Sequence, residues 1–260
     1  MKKTVVCTFY NEEYILPWFL KHNREVFDHG VMIDYHSTDN SRAIIKELCP
    51  TWDIVMSRNF DFQADRVDEE IMDIENQFDG WRMCLNATEL LVGDYSILDD
   101  QPGQFLVPSV FIVDSNREQL VTYDLPLYEQ KTYGFMFSDS QQNFLERRAR
   151  SIHSIPVKYA LQSTVECMGP GRHFNKYTTD KLAVFYYGWA PLDEQGMKRK
   201  LQIQTQTPLH DRQRGWGFHH ITNKETVEYR LENEFMPRSR DITQEIAKYV
   251  TKHKNLSNIL

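Results

Sequence analysis

Cysteine is scarce in this chain: four thiols in 260 residues, Cys7, Cys49, Cys84 and Cys167, with no CxxC pair among them. That spacing disfavours a zinc site and a disulfide scaffold, and Cys7 and Cys84 fall in apolar strand-like runs where a reduced thiol packs as a small hydrophobe. Glycine-rich phosphate loops are missing: neither GxGxxG nor GxxxxGK[ST] occurs, which argues against a dinucleotide oxidoreductase or a P-loop enzyme. No apolar run approaches the roughly 18 residues that span a bilayer. Lys2-Lys3 is followed by a run too short for a signal peptide and broken at Asn11-Glu12. A soluble, cytoplasmic protein is expected, in which the sequon Asn86-Ala87-Thr88 carries no glycan. Positive charge is also short, with 30 Lys and Arg against 37 Asp and Glu and a net charge of -7. A nucleic-acid binder needs a basic footprint that this balance does not supply. An anionic small ligand held by a few local cations stays compatible with it.

What is present is a sizeable hydrophobic fraction, 41%, and 13% aromatic residues, enough for one large core. The N-terminal third alternates strand and helix signals. Thr4 to Phe9 is an apolar strand-like run that stops at Tyr10-Asn11-Glu12-Glu13. A helix pattern follows, with Ile15, Leu16, Phe19 and Leu20 apolar and Pro17 in its first turns. Val31-Met32-Ile33 is a second strand, ending in Asp34 through Ser41. Ser41 to Leu48 reads as a helix, Trp52 to Met56 as a strand, Asp61 to Phe78 as a helix and Trp81 to Leu85 as a fourth strand. This alternation predicts an α/β fold with a mostly parallel sheet flanked by helices.

Further on, Gln104 to Val113 reads as a strand near a sheet edge because Pro108 interrupts it. Phe144 to Arg150 reads as a basic helix, Leu182 to Trp189 as a strand, Met197 to Gln206 as a short basic helix and Asp241 to Lys254 as a helix. With no repeat, low-complexity tract or dividing linker, residues 1–260 are expected to form a single domain. Residues 1–100 would be the ligand-facing half and 101–260 an irregular acceptor-side half.

Two successive strands that end in polar clusters put Asn11, Glu12, Asp34 and Asp39 on one rim, the crevice outside the strand carboxyl ends where open α/β sheets bind ligands. Each cluster also has a plainer reading. Asn11 or Glu12, and Asp39 or Ser41, can simply cap the helices that follow. Asp34 follows its strand directly and is the residue that capping explains least; a carboxylate there can accept hydrogen bonds from a base or a ribose. Thr8, Phe9 and Tyr10 would frame a planar ring.

The runs VVCTFYNEEYILPWFLKHN and VMIDYHSTDNSRAII resemble the family-two-like glycosyltransferases with a GT-A fold. Those have an Asn-Glu turn after the first strand and an Asp-x-x-Ser-Thr-Asp turn after the second. Asn11 and Asp34 stand 23 residues apart, as in that pattern, and Leu16-Pro17-Trp18-Phe19-Leu20-Lys21-His22 nearly matches a Leu-Pro-x-x-Leu-x-x-His start. The likeness is good over about residues 4 to 95 and loose beyond.

The resemblance implies a GT-A-like fold, a nucleotide-sugar donor (a UDP-sugar), and transfer by inverting displacement to an unknown glycan, lipid or protein acceptor. It also implies a metal-binding Asp-x-Asp motif after the fourth strand. Here that position reads Asn86-Ala87-Thr88-Glu89. Asn86 and Thr88 offer neutral oxygens to the donor, and Glu89 alone could hold a divalent cation, Mn2+ or Mg2+; otherwise metal dependence is weakened or lost. Asp99-Asp100 and His219-His220 are further acidic and imidazole pairs that read better as turn or surface residues.

Glu166, ahead of a glycine turn, is the first choice for the base that deprotonates the acceptor, and Asp139 the second. Arg66 and the run Lys198-Arg199-Lys200 are candidate cations for the diphosphate, the plainer reading of the run being a solvated helix face. Tyr186-Tyr187-Gly188-Trp189 is a candidate aromatic wall for a sugar or else core, and Gly215-Trp216-Gly217-Phe218 a candidate mobile loop. Two other readings stay open. A nucleotidyltransferase would want a glycine- and lysine-bearing signature where Asn11-Glu12-Glu13 stands. A catalytically weakened or silent nucleotide-sugar-binding protein would fit the altered Asp-x-Asp.

Overall fold

The computed structural model describes residues 1–98, 101–136, 149–156, 178–214, 220 and 222–257. Its first third is the expected alternation: β1 (Lys3–Phe9), α1 (Leu16–Asn23), β2 (His29–Asp34), α2 (Ser41–Leu48), β3 (Asp53–Met56), α3 (Ala64–Glu75) and β4 (Trp81–Asn86). The four strands are parallel, in the order β4-β1-β2-β3. β1 is a continuous apolar run because Val5, Val6 and Cys7 are fully buried and helices cover both faces of the sheet. α1 buries Leu16, Trp18, Phe19 and Leu20, with Pro17 in its first turn where the missing N–H costs nothing.

α3 is shorter than the 61–78 pattern suggested. The Phe62 amide donates to the Gln206 carbonyl and the Ala64 amide to Asp211 Oδ2, both at 2.8 Å. These long-range bonds hold residues 61–63 outside the helix. Beyond it, Gly80 takes φ +88°, and a Cβ there would stand 2.3 Å from the Lys2 carbonyl oxygen, so glycine is required where the chain turns into β4.

The remainder comprises β5 (Glu89–Gly93), β6 (Gln104–Val113), α4 (Leu127–Gln130), β7 (Tyr133–Met136), β8 (Ala149–His153), β9 (Leu182–Trp189), α5 (Glu194–Gln202), α6 (Leu209–Gln213), α7 (Lys224–Arg230), β10 (Arg240–Asp241) and α8 (Thr243–Ser257). Antiparallel β8 joins β4 and carries the sheet on through β6, β7 and β10, while β9 pairs with both β5 and β6. The fold is thus α/β with a parallel core and a mixed extension. One hydrophobic cluster runs from Val5 to Ile242, Ile246 and Val250 and joins the two halves.

Two expectations are corrected. β6 is interior rather than an edge. Residues 110–112 lie between β7 and β9, and residues 104–108 pair with β8, so Pro108 is the last residue of the β8 ladder and precedes the β9 ladder, and its missing N–H interrupts neither at its middle. The described end of the predicted basic helix, Ala149 and Arg150, lies in β8, because the Arg150 side chain is buried against an acid rather than solvated.

Candidate active site at the strand ends

The parallel register aligns the three motif turns. Thr8 of β1 is opposite Asn86 of β4, Phe9 is opposite Asp34 of β2, and Asp34 is opposite Met56 of β3. β1 has its sequential neighbour β2 on one side and β4 on the other, so the topological switch point falls between β1 and β4. Ligands of open α/β sheets bind in that crevice.

The turns after β1 and β2 are cross-linked, and Asp39 serves its own helix as well, its Oδ1 accepting the amide of Ser41, the first residue of α2, at 3.0 Å. The Asn11, Glu12 and Glu13 amides donate to Ser37 Oγ (3.0 Å), Ser41 Oγ (2.9 Å) and Asp39 Oδ2 (3.0 Å). In return, Asn11 Oδ1 accepts the Thr38 amide at 2.7 Å and Glu13 Oε2 the Asn40 amide at 2.9 Å. Neither α1 nor α2 has a side-chain cap at its N-cap residue. Asn11 and His36 take φ of +50° and +62°, the left-handed region that Asn and His tolerate best among side-chain-bearing residues. Asp34 is fully buried; its Oδ1 accepts the Ser37 amide at 2.8 Å and its Oδ2 is paired with Arg42 Nε.

α5 locks onto this rim from the C-terminal half. Asp193 caps it, accepting the Gly196 amide at 2.9 Å, and also accepts the Tyr14 hydroxyl at 2.5 Å. One turn later Arg199 reaches Glu12 Oε2 at 3.4 Å, and Gln202 Nε2 donates to the Asn11 carbonyl at 2.5 Å. Burial raises the Glu12 carboxyl above its ordinary range, with Arg199 opposing the shift. Lys200 donates to the Gly188 carbonyl at 3.0 Å and lies 3.5 Å over the Trp189 ring, which makes it part of the packing of α5 on β9. Lys198 and Arg66 are exposed on α5 and α3. Phe9, Tyr187 and Trp189 are core residues, so the aromatic stretch 186–189 is no open wall for a sugar. Thr8 and Tyr10 are half-buried at the rim.

At the third turn, Glu89 is the expected metal ligand. Its side chain is 0% exposed and faces Arg150, itself 1% exposed. Arg150 Nε donates to both carboxylate oxygens (3.1 and 3.0 Å) and the guanidinium's terminal nitrogen to Oε1 (2.8 Å). The Asn86 amide donates to Glu89 Oε2 at 2.8 Å. The Thr88 carbonyl accepts the Tyr187 amide at 2.7 Å, tying the turn to β9. Among the described residues no three His, Cys, Asp or Glu side chains converge on a metal position. Glu166, Asp139, Asp99, Asp100, His219 and residues 215–218 lie outside the described residues.

Several rim residues had no signal of their own in the sequence. Glu70 of α3 accepts from the Tyr35 hydroxyl (2.8 Å), Ser57 Oγ (2.7 Å), the Arg58 amide (2.8 Å) and Asn59 Nδ2 (3.1 Å), bracing the ends of β2 and β3. Beside them Phe60, 83% exposed, stacks on His36 with ring centroids 5.1 Å apart and planes at 8°. Arg42, Arg150 and Gln202 read as ordinary solvated residues in the sequence, and Arg199, in the basic run 198–200 expected near a diphosphate, pairs with Glu12 instead. That the two turns share a rim follows in the sequence from two successive strands ending in polar clusters and from the Asn11–Asp34 spacing.

No protein-family model and no curated protein matches the chain. Among solved structures it is similar to S. aureus TarS 1-349 in complex with UDP-GlcNAc, at 15% identity over 47% of this chain and 37% of that one, with a TM-score of 0.30. It is similar to glucosyl-3-phosphoglycerate synthase from Mycobacterium tuberculosis in complex with Mn2+, UDP and glucosyl-3-phosphoglycerate, at 16% identity over 42% and 44%, TM-score 0.30. It is also similar to HddC from Yersinia pseudotuberculosis, at 11% identity over 72% and 77%, TM-score 0.30. The chain spans less than half the length of the first two. Likeness of this degree is partial, and the reading of the site rests on strand order, register and the residues at the rim.

Proposed function

We propose that this chain is a GT-A-like glycosyltransferase that binds a nucleotide-sugar donor, a UDP-sugar, at the rim of β1, β2 and β4. The observation that carries the reading is the register that sets Thr8 beside Asn86 and Phe9 beside Asp34, so that the three motif turns stand at the same end of adjacent strands, flanking the switch point between β1 and β4. In this reading the interlocked turns of Asn11–Glu13 and Ser37–Ser41 form a rigid backbone cradle for the nucleoside. Asp34 and Glu12 shape it through Arg42 and Arg199, with Asp39 holding the Glu13 amide. Thr8, Tyr10 and the His36–Phe60 pair offer the surfaces a base would meet. Lys198 and Arg66 are exposed cations proposed for a diphosphate. Asn86 and Thr88 lie on its path at the switch point.

Transfer to a glycan, lipid or protein hydroxyl needs a base for the hydroxyl proton, and Glu166, then Asp139, are the proposed groups. A divalent cation on such a site would offset the charge of the departing diphosphate. The Asn86–Glu89 turn does not fit one, since its single carboxylate is held by Arg150. That same engagement of Glu89 favours a second reading: a protein that binds nucleotide sugars with little or no turnover. Incubation with a panel of nucleotide sugars, followed by assay of released nucleoside diphosphate and calorimetry with UDP, separates the two. Release supports the transferase, binding without release supports the silent binder, and the absence of both release and binding sinks both readings.

A further inference from the structure

We infer that nucleoside-diphosphate binding by this chain is independent of a divalent cation, because an internal guanidinium occupies the charge position where a metal would be sought. The inference rests on the donor-binding reading above. A hard cation at the Asn86–Glu89 turn needs oxygen donors, carboxylates above all. Both Glu89 oxygens are taken, by three contacts of 2.8–3.1 Å from Arg150 and one of 2.8 Å from the Asn86 amide. The pair is two-pronged, with Nε on Oε2 and the terminal nitrogen on Oε1, the contact for which a guanidinium surpasses an ammonium.

Arg150 also cannot swing aside. It stands on β8, whose neighbours Ile152 and His153 pair with Met83 and Arg82 of β4, and its side chain is sealed from solvent. To take Glu89, a metal would have to strand a permanent positive charge in a dry interior. Asn86 and Thr88 supply only neutral oxygens, and the Thr88 carbonyl already accepts from β9. Glu89 therefore acts on the turn: through the Asn86 amide it fixes the backbone at the end of β4, beside Thr8.

Calorimetric titration of the full chain with UDP, once in EDTA and once each in excess Mg2+ and Mn2+, tests this with wild-type protein alone. The expected result is a Kd that agrees within about twofold across the three conditions. Tightening of tenfold or more on adding Mn2+ overturns the inference and leaves the donor site standing. Absence of UDP binding in every condition removes the donor reading, and the inference falls with it.

Discussion

Arg42, in the first turn of α2, reaches back to Asp34 at the end of β2, so that a carboxylate with 0% exposure is balanced by a guanidinium whose side chain is 42% exposed. The pair stands under the turn that carries Ser37 and Asp39, and Asp34 Oδ1 holds the Ser37 amide as well. Arg42→Met leaves a buried acid with one partner fewer. Since Arg42 is partly solvated, a loss of about 1–3 kcal/mol is expected, nearer a charged hydrogen bond than a fully buried ion pair. Asp34→Asn, which keeps an acceptor for Ser37, is expected to cost less than Asp34→Ala. Urea denaturation of the three variants gives the order; if Asp34→Ala proves the mildest, the carboxylate does not brace the turn.

The Glu89–Arg150 pair yields a sharper stability test. Arg150→Met strands a buried carboxylate, and removing one partner of such a pair costs about 3–5 kcal/mol. Glu89→Gln combined with Arg150→Met removes both charges while keeping an oxygen for the Asn86 amide, and is expected to recover at least half of that loss. A double variant as unstable as Arg150→Met alone would mean that packing, not the uncompensated charge, is what Arg150 contributes.

These pairs show what the sequence could and could not convey. β1 was readable because a strand buried on both faces is an unbroken apolar run, and the turns were readable because polar residues stop such runs abruptly. The partners were not. Asn11 meets Ser37, Tyr14 meets Asp193, and Glu89 meets Arg150, and periodicity is blind to pairs so far apart in the chain. Asp34 looked free for a ligand because Arg42 reads as an exposed helix residue. Arg150 reads as helical in the sequence because nothing local to a basic run shows that its last member is buried on a strand. Pro108 reads as an edge signal because sequence cannot reveal a strand that changes partners midway.

His153 of β8 gives the clearest pH dependence. Burial, and then the positive charge of Arg82, lowers its pKa from 6.5 to about 3. The imidazole is therefore neutral at pH 7, and its 3.7 Å contact with Glu75 is not an ion pair there. Ser151 Oγ lies 3.2 Å from its Nδ1. Because the folded pKa is depressed, the unfolded chain binds the proton first. The contribution is whole above pH 6.5 and declines as pH falls toward 3, by about 1.4 kcal/mol for each unit in between. His153→Gln is expected to flatten that acid limb of the stability curve while changing the neutral plateau less. The measurement is the urea midpoint at half-unit steps from pH 7 to 4. An unchanged acid limb in the variant would place the titrating group elsewhere.

Phe60 separates ligand binding from folding. Its ring is 83% exposed yet held parallel to His36 at 5.1 Å, immediately past the end of β3 and beside the turn after β2. Exposed phenylalanine gains little from solvent, and a planar pair at a rim offers a face on which a base can stack. Stacking of a base on an aromatic side chain is worth about 1–3 kcal/mol by alanine substitution in nucleic-acid complexes. Phe60→Ala is accordingly expected to weaken UDP binding by about fivefold or more, with a denaturation midpoint close to that of wild type because the ring buries little surface. Phe60→Trp is expected to keep or improve affinity. Calorimetry with UDP and with inorganic diphosphate checks the assignment: the loss must appear with UDP and be absent with diphosphate, which has no base. Equal losses for both ligands would mean that Phe60 shapes the cradle rather than meeting the base, and no loss for either would place the base away from the β2–β3 end of the rim.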